Sequence, residues 1–140
     1  MADDTMTDQP VERRQVEDVE AIRQTALDYL QGWYEGDAER MRQSLHSELA
    51  KRAILRDIQS GEERFYSLNQ QQMVEKTRQG GGTDTPSDKR YYDVSVLDVY
   101  GDIASVRANS YDYVDYLHLA RSGGRWVIVN ALWADNHTKR

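Results

Sequence analysis

The chain contains no cysteine. Disulfides and thiolate-held metals are therefore excluded, which suits a reducing cytoplasm, the expected location. Long hydrophobic runs are also missing: no stretch approaches the roughly 18 apolar residues needed to cross a bilayer. The opening residues, MADDTMTDQPVERR, hold no apolar core, so they do not read as a secretory signal. A basic stripe is absent too. Residues 1–20 carry seven acids and two bases, a net of −5 out of the chain's −6, so the remainder is near neutral. Nucleic acid, which needs concentrated positive charge, is not an expected partner, and neither is a membrane. Gln79 to Arg90 (QGGGTDTPSDKR) is glycine-rich and reads as a flexible loop, but it lacks the Gly-Lys-Ser/Thr ending of a phosphate loop. The three histidines, His46, His118 and His137, fall in separate elements, with no HExxH or His-x-His spacing. No nucleophile motif supports a Ser-His-Asp triad. No metal and no cofactor are expected.

What remains is a chain of 140 residues, 39% hydrophobic and 30% charged, the size and composition of one ordinary domain. Residues 1–12 read as a disordered acidic tail, 13–135 as a single domain and 136–140 as a short tail. Val16, Val19, Ile22, Ala26, Tyr29, Leu30 and Trp33 recur at three- and four-residue steps, which predicts a helix over Val11 to Tyr34. Asp37 is placed to cap a second helix, Ala38 to Leu45, and Asn69 a third, Gln70 to Arg78. Between them, His46 to Leu55 reads as a turn into a short strand or irregular piece, and 56–66 as a loop. From Tyr91 onward the period becomes two. Strands are predicted over Tyr91 to Val99 and Ile103 to Asn109, followed by a hairpin, VDYLHLARSGGRWVIVNALW, from Val114 to Trp133.

The hairpin carries the sharpest chemical clue. A two-residue loop, at Ser122-Gly123 or shifted to Gly123-Gly124, collects Leu117, Leu119, Trp126 and Ile128 on one face. The Ser122-Gly123 register sets Asp115 opposite Asn130 at the open end of that apolar face. A carboxylate there is costly unless it is hydrogen-bonded or solvated. Asp115 is either a paired structural acid or a pocket carboxylate with a raised pKa, able to take a proton or bind a polar ligand group. The opposite face, with Tyr116, His118, Val127, Val129 and Trp133, is too apolar for a bare surface and points to a homodimer contact.

Element order and residues together resemble the nuclear transport factor 2-like (SnoaL-like) superfamily, and within it the bacterial branch called "putative lumazine-binding". The resemblance runs from about Val19 to Trp133. It is carried by DYLQGWYEGDAERMRQSLH, LHSELAKR, the glycine-rich loop, VLDVYGDIASVRA and VDYLHLARSGGRWVIVNALW, the last two being the specific ones. Ser47 departs from the Pro that often follows the His in that branch. The resemblance implies an α+β, cone-shaped fold, three N-terminal helices packed on a curved antiparallel sheet, with a pocket between sheet and long helix. It also implies homodimers through the outer sheet face. Some relatives, such as ketosteroid isomerase, scytalone dehydratase and the polyketide cyclases, move a proton with a pocket Asp or His and usually without metal. Many others bind or assemble without catalysis.

In such a fold His46 would sit at the pocket rim as general acid or base, or else serve as a turn histidine bonded to nearby backbone. Arg52 would hold a ligand carboxylate or neutralise Asp115. Tyr29 and Trp33 share the inward stripe near the open end of the helix, as core or as pocket wall. Tyr113 would help close the mouth. The expected function is small-molecule binding in a pocket lined by Tyr29, Trp33, Leu117, Trp126 and Ile128, with Asp115, Asn130, His46 and Arg52 as polar groups. The alternatives are a metal-independent proton-transfer enzyme acting on a small cyclic substrate, with Asp115 or His46 as base, and a non-catalytic protein-interaction module.

Overall fold

The computed structural model describes residues 11–138; the acidic segment 1–10 and the last two residues lie outside the described residues. The first helix, α1, spans Val11–Glu35. Its buried stripe is Ile22, Ala26, Tyr29 and Leu30, whereas Val16 stands exposed on the first turns. Gly36 turns the chain at a positive φ of 69°, which glycine tolerates without strain. Asp37 then caps α2 (Ala38–Ser44) by accepting from the Arg40 backbone N–H.

Strand β1 (Leu45–Arg56) follows α2 directly and pairs with β2 (Glu63–Leu68). Both fall where the sequence suggested a short or irregular piece and a loop. Along β1 the buried Leu49, Lys51 and Ala53 alternate with half-buried or exposed positions. A lysine on the inner face hides the two-residue period from a hydrophobicity pattern. Helix α3 (Gln70–Arg78) begins on a capping box made by Asn69 and Gln72. A short 3-10 turn, Ser87–Lys89, leads to β3 (Asp93–Tyr100), β4 (Ile103–Asn109), β5 (Tyr113–Ser122) and β6 (Arg125–Asp135).

The six strands form one sheet in the order β2-β1-β6-β5-β4-β3. Its neighbours are antiparallel except β1 and β6, which run parallel. The class is α+β, with three helices and a mixed, curved sheet. The expected order of three helices before a purely antiparallel meander is corrected by the β1-β2 hairpin, which enters between α2 and α3.

The hairpin turns at Gly123-Gly124, with φ of 58° and 79°, the left-handed pair that suits a two-residue loop. Leu117, Leu119, Trp126 and Ile128 join Ile22, Ala26, Met41, Met73 and Val106 in one core. Beyond Ile128 the register slips: Leu119 pairs with Ile128 but His118 with Asn130. The extra residue, Val129, is a β-bulge. The loop at Gly123-Gly124 moves the partners on by two, and the bulge adds one more and turns the rest of β6 over, so that Asp115 faces Trp133 and not Asn130.

Side chains tie α1 to the sheet. Arg23 donates to the Val94 carbonyl (2.6 Å), and Thr25 to the Trp126 carbonyl (3.0 Å). Arg121 donates to both carboxylate oxygens of Asp18 and to Asp102 while lying 4.8 Å over the Trp126 ring. Past β6, Asn136 is buried and donates to the Ser110 carbonyl (2.8 Å) and to Tyr91 (3.0 Å). No helix among the described residues is long and apolar enough to cross a membrane.

Candidate functional site

A cavity of about 520 Å³ lies between α1, α3 and the inner face of strands β2, β1, β6 and β5. α1 contributes Tyr29, Leu30 and Trp33; β1 contributes Lys51 and Leu55; β2 contributes Arg64, Tyr66 and Leu68. Tyr113, Asp115 and Trp133 come from β5 and β6, and Met73 and Lys76 from α3. The walls are aromatic: Trp133 meets Tyr113 edge-on at 5.1 Å between ring centroids and Tyr66 at 6.1 Å.

The polar end of the cavity is a chain of three side chains. Lys51 Nζ donates to the Tyr29 hydroxyl at 2.6 Å, and that hydroxyl donates to Asp115 Oδ2 at 2.7 Å. Tyr29 and Asp115 are 3% exposed and Lys51 is 9% exposed. An ammonium, a phenol and a carboxylate polarise one another in a single direction, which strengthens each bond in a low-dielectric site. The Lys51 ammonium also lies 5.0 Å from the Tyr29 ring centroid and 5.8 Å from that of Trp133. Burial lowers the Lys51 pKa, opposed by the nearby Asp115 charge. Burial raises that of Asp115, opposed by Lys51 and by the Tyr29 hydrogen bond. Burial and the adjacent carboxylate raise Tyr29 well above a free phenol, so its hydroxyl stays protonated.

The structure brings Asp115, Tyr29, Trp33 and Tyr113 to the cavity, as the sequence suggested. Other candidates lie elsewhere. Arg52 is exposed on the outer face of β1; the cation beside Asp115 is its neighbour Lys51. Asn130, turned outward by the bulge, is exposed and bonds His118 Nδ1 at 3.2 Å. His46 accepts the Glu48 backbone N–H on Nδ1 at 2.9 Å, the arrangement of a turn histidine. Leu117, Trp126 and Ile128 are core residues and do not line the cavity. Trp133, placed by sequence on the outer face, lines the cavity, and Val127 is buried within the subunit.

Lys51, Arg64, Tyr66 and Lys76 were not anticipated. The alternation Leu49, Lys51, Ala53, Leu55 was the available signal for Lys51, and Arg64, Tyr66, Leu68 for β2. The glycine loop belongs to the site as well. Gly81 and Gly82 lie directly against Trp33, and Thr85 and Tyr34 both donate to Asp112 across the loop's far end (2.7 and 2.9 Å). Among the described residues no three His, Asp or Glu side chains are placed to hold a metal.

Residues 17–134 match a protein family described as "Putative lumazine-binding". No curated protein matches the chain. Among solved structures, an NTF2-like protein of unknown function from Silicibacter pomeroyi is 17% identical, with a TM-score of 0.70 over 87% of this chain and 98% of that one. An NTF2-like protein of unknown function from Shewanella baltica is 17% identical, with a TM-score of 0.66 over 88% and 97%. An NTF2-like protein with a cystatin-like fold from Novosphingobium aromaticivorans is 17% identical, with a TM-score of 0.64 over 99% and 94%. At such identities the likeness speaks for the fold. The family match over most of its length shows that the chain belongs to the putative lumazine-binding family, with the fold of NTF2-like proteins.

Proposed function

We propose that this protein binds a small molecule in the cavity between the long helix and the curved sheet, the two forming a cone that is open toward Arg64 and Lys76. One observation carries this reading: a cavity of about 520 Å³, walled by aromatics, ends on the buried Lys51–Tyr29–Asp115 chain. Ligand sites are typically concave and mostly apolar, with a few convergent polar groups. A purely structural ion pair would be expected under packed side chains and not at the end of an open cavity. Native mass spectrometry of freshly purified protein is the direct test, with a co-purified ligand as the expected result.

Asp115→Asn separates the structural role of the acid from its ligand role. It removes the negative partner of Lys51 and is expected to cost about 1–3 kcal/mol. Retention of the co-purified ligand should fall along with it. Lost stability with undiminished retention would identify Asp115 as structural only.

A second reading, proton transfer on a small cyclic substrate, is favoured by the opposed shifts of Lys51 and Asp115. These move both groups toward the range in which acids and bases exchange protons at neutral pH. Asp115 would be the base, and Tyr29, released from Asp115 once that acid takes the proton, the donor to a developing oxyanion. Faster deuterium exchange of 2-cyclohexenone in D2O by wild type than by Asp115→Asn would support it, and equal rates would sink it.

We also propose that the protein is a homodimer through the outer sheet face. That face exposes Ile54 (60%), Phe65 (65%), Tyr116 (50%) and Leu132 (58%) from four neighbouring strands, a patch that single subunits rarely leave bare. Leu132→Glu is expected to yield a folded monomer by light scattering. A wild-type monomer at micromolar concentration would contradict the dimer.

A further inference from the structure

We propose that the cavity's ligand is a planar aromatic anion whose carboxylate, or equivalent oxyanion, is held at the mouth by Arg64 and Lys76. This rests on the small-molecule reading above and narrows it to a chemical class. The charges lining the cavity are three cations, Lys51, Arg64 and Lys76, against one acid, Asp115. Lys51 and Asp115 offset each other through Tyr29. Two positive charges therefore remain at the mouth of a chain whose net charge is −6.

Among the described residues Arg64 and Lys76 form no ion pair, and the acids beside them in sequence are engaged elsewhere: Glu63 by Arg56 and Glu75 by Arg78. Both are instead drawn to one ring. The Arg64 guanidinium lies 5.7 Å and the Lys76 ammonium 6.0 Å from the centroid of Tyr66, which itself lines the cavity. Both cations therefore border the cavity beside one ring, where an anion is attracted by each of them. The arginine offers a planar fork that matches a carboxylate.

Below the rim the walls are the aromatic faces of Trp33, Tyr66 and Trp133. A volume of about 520 Å³ has room for a bicyclic or tricyclic molecule, and the aromatic lining favours a planar ring system over an aliphatic chain. At the far end, the Lys51–Tyr29–Asp115 chain can meet a polar atom of the ring system.

The test uses the fluorescence of Trp33 and Trp133 and two isosteric probes, 2-naphthoate and the neutral 2-naphthamide. Naphthoate is expected to bind at least about tenfold more tightly than the amide in low salt. In the double variant Arg64→Gln/Lys76→Gln, whose substitutions are exposed, that preference should fall to about threefold or less with naphthamide affinity unchanged. Equal affinity of the two probes for wild type, or a preference that survives the double variant, overturns the anion assignment and leaves small-molecule binding standing. Failure of both probes to bind counts against the small-molecule reading itself. Weakening of both probes equally by the double variant would assign Arg64 and Lys76 to the shape of the mouth and overturn their role in charge recognition.

Discussion

Lys51→Met is expected to destabilise the fold by about 3 kcal/mol at neutral pH, the low end of the cost of removing one partner from a buried charge pair. The substitution leaves Asp115, 3% exposed, with Tyr29 as its hydrogen-bond donor and no cation. Tyr29 still donates, which is why the low end applies. The loss should depend on pH. Asp115 already binds its proton more tightly in the folded chain than at its ordinary value of 3.8. Such a group stabilises most below 3.8, and its contribution is lost as pH rises through the folded value. Without Lys51 that folded value climbs further, so the deficit of the variant should widen from acid toward neutral pH. Lys51 itself works the other way. Its folded value lies below 10.5, so wild-type stability rises with pH across that interval, and the variant lacks the rise. Urea melts at intervals from about pH 3 to about pH 10 measure both effects. Lys51→Met/Asp115→Leu should recover most of the loss, because no charge is then left buried alone. A single variant within about 0.5 kcal/mol of wild type at pH 8 would show that the pair is not a coupled unit.

Gly82→Ala should cost about 1–3 kcal/mol through overpacking. A Cβ at Gly82 would stand 2.6 Å from Trp33 Cδ1 and Nε1 and 2.7 Å from the Trp33 carbonyl oxygen. The ring could swing, but the carbonyl belongs to α1 and cannot move without the helix. The penalty is steric and not conformational, since Gly82 has no positive φ. Gly61→Ala is the contrasting control: nothing lies within 4 Å of its Cβ, but its φ is 74°. It should pay only the smaller backbone cost, about 1 kcal/mol, and leave ligand affinity alone. Gly82→Ala should lower the melting temperature by several degrees and also weaken ligand binding, because Trp33 is a cavity wall. Equal effects of the two substitutions on affinity would remove the glycine loop from the site.

The helices were legible because their signals are local. The Asp37 cap and the Asn69–Gln72 box sit within a turn of what they satisfy, and both helix starts fall where these residues placed them. The inner face of the hairpin was legible for the same reason: alternation from Asp115 to Leu119 is a property of one strand. Burial of Asp115 followed from that alternation. Two things escaped. Strand β1 carries a lysine inward, so its pattern looked broken, and the cation beside Asp115 was sought one residue too late, at Arg52. The bulge at Val129 has no glycine or proline to mark it. That one extra residue inverted the expectations for Asn130 and Trp133 together, sending the amide to the outer face and the indole to the cavity.

The parallel seam between β1 and β6 gives the site a history in time. Every other strand pairing joins neighbours in the chain, but Lys51 meets Ala131 only after residues from opposite halves of the sequence have found each other. Contacts of such wide separation carry the largest loop-closure cost and tend to form late. Lys51 lies on one side of this seam, and Asp115 and Trp133 lie on the other. The β5-β6 hairpin can therefore form while its acid is still solvated, and desolvation of the charges waits for the seam to close. Substitutions in the Lys51–Tyr29–Asp115 chain should accordingly speed unfolding more than they slow folding, which stopped-flow folding and unfolding rates would show.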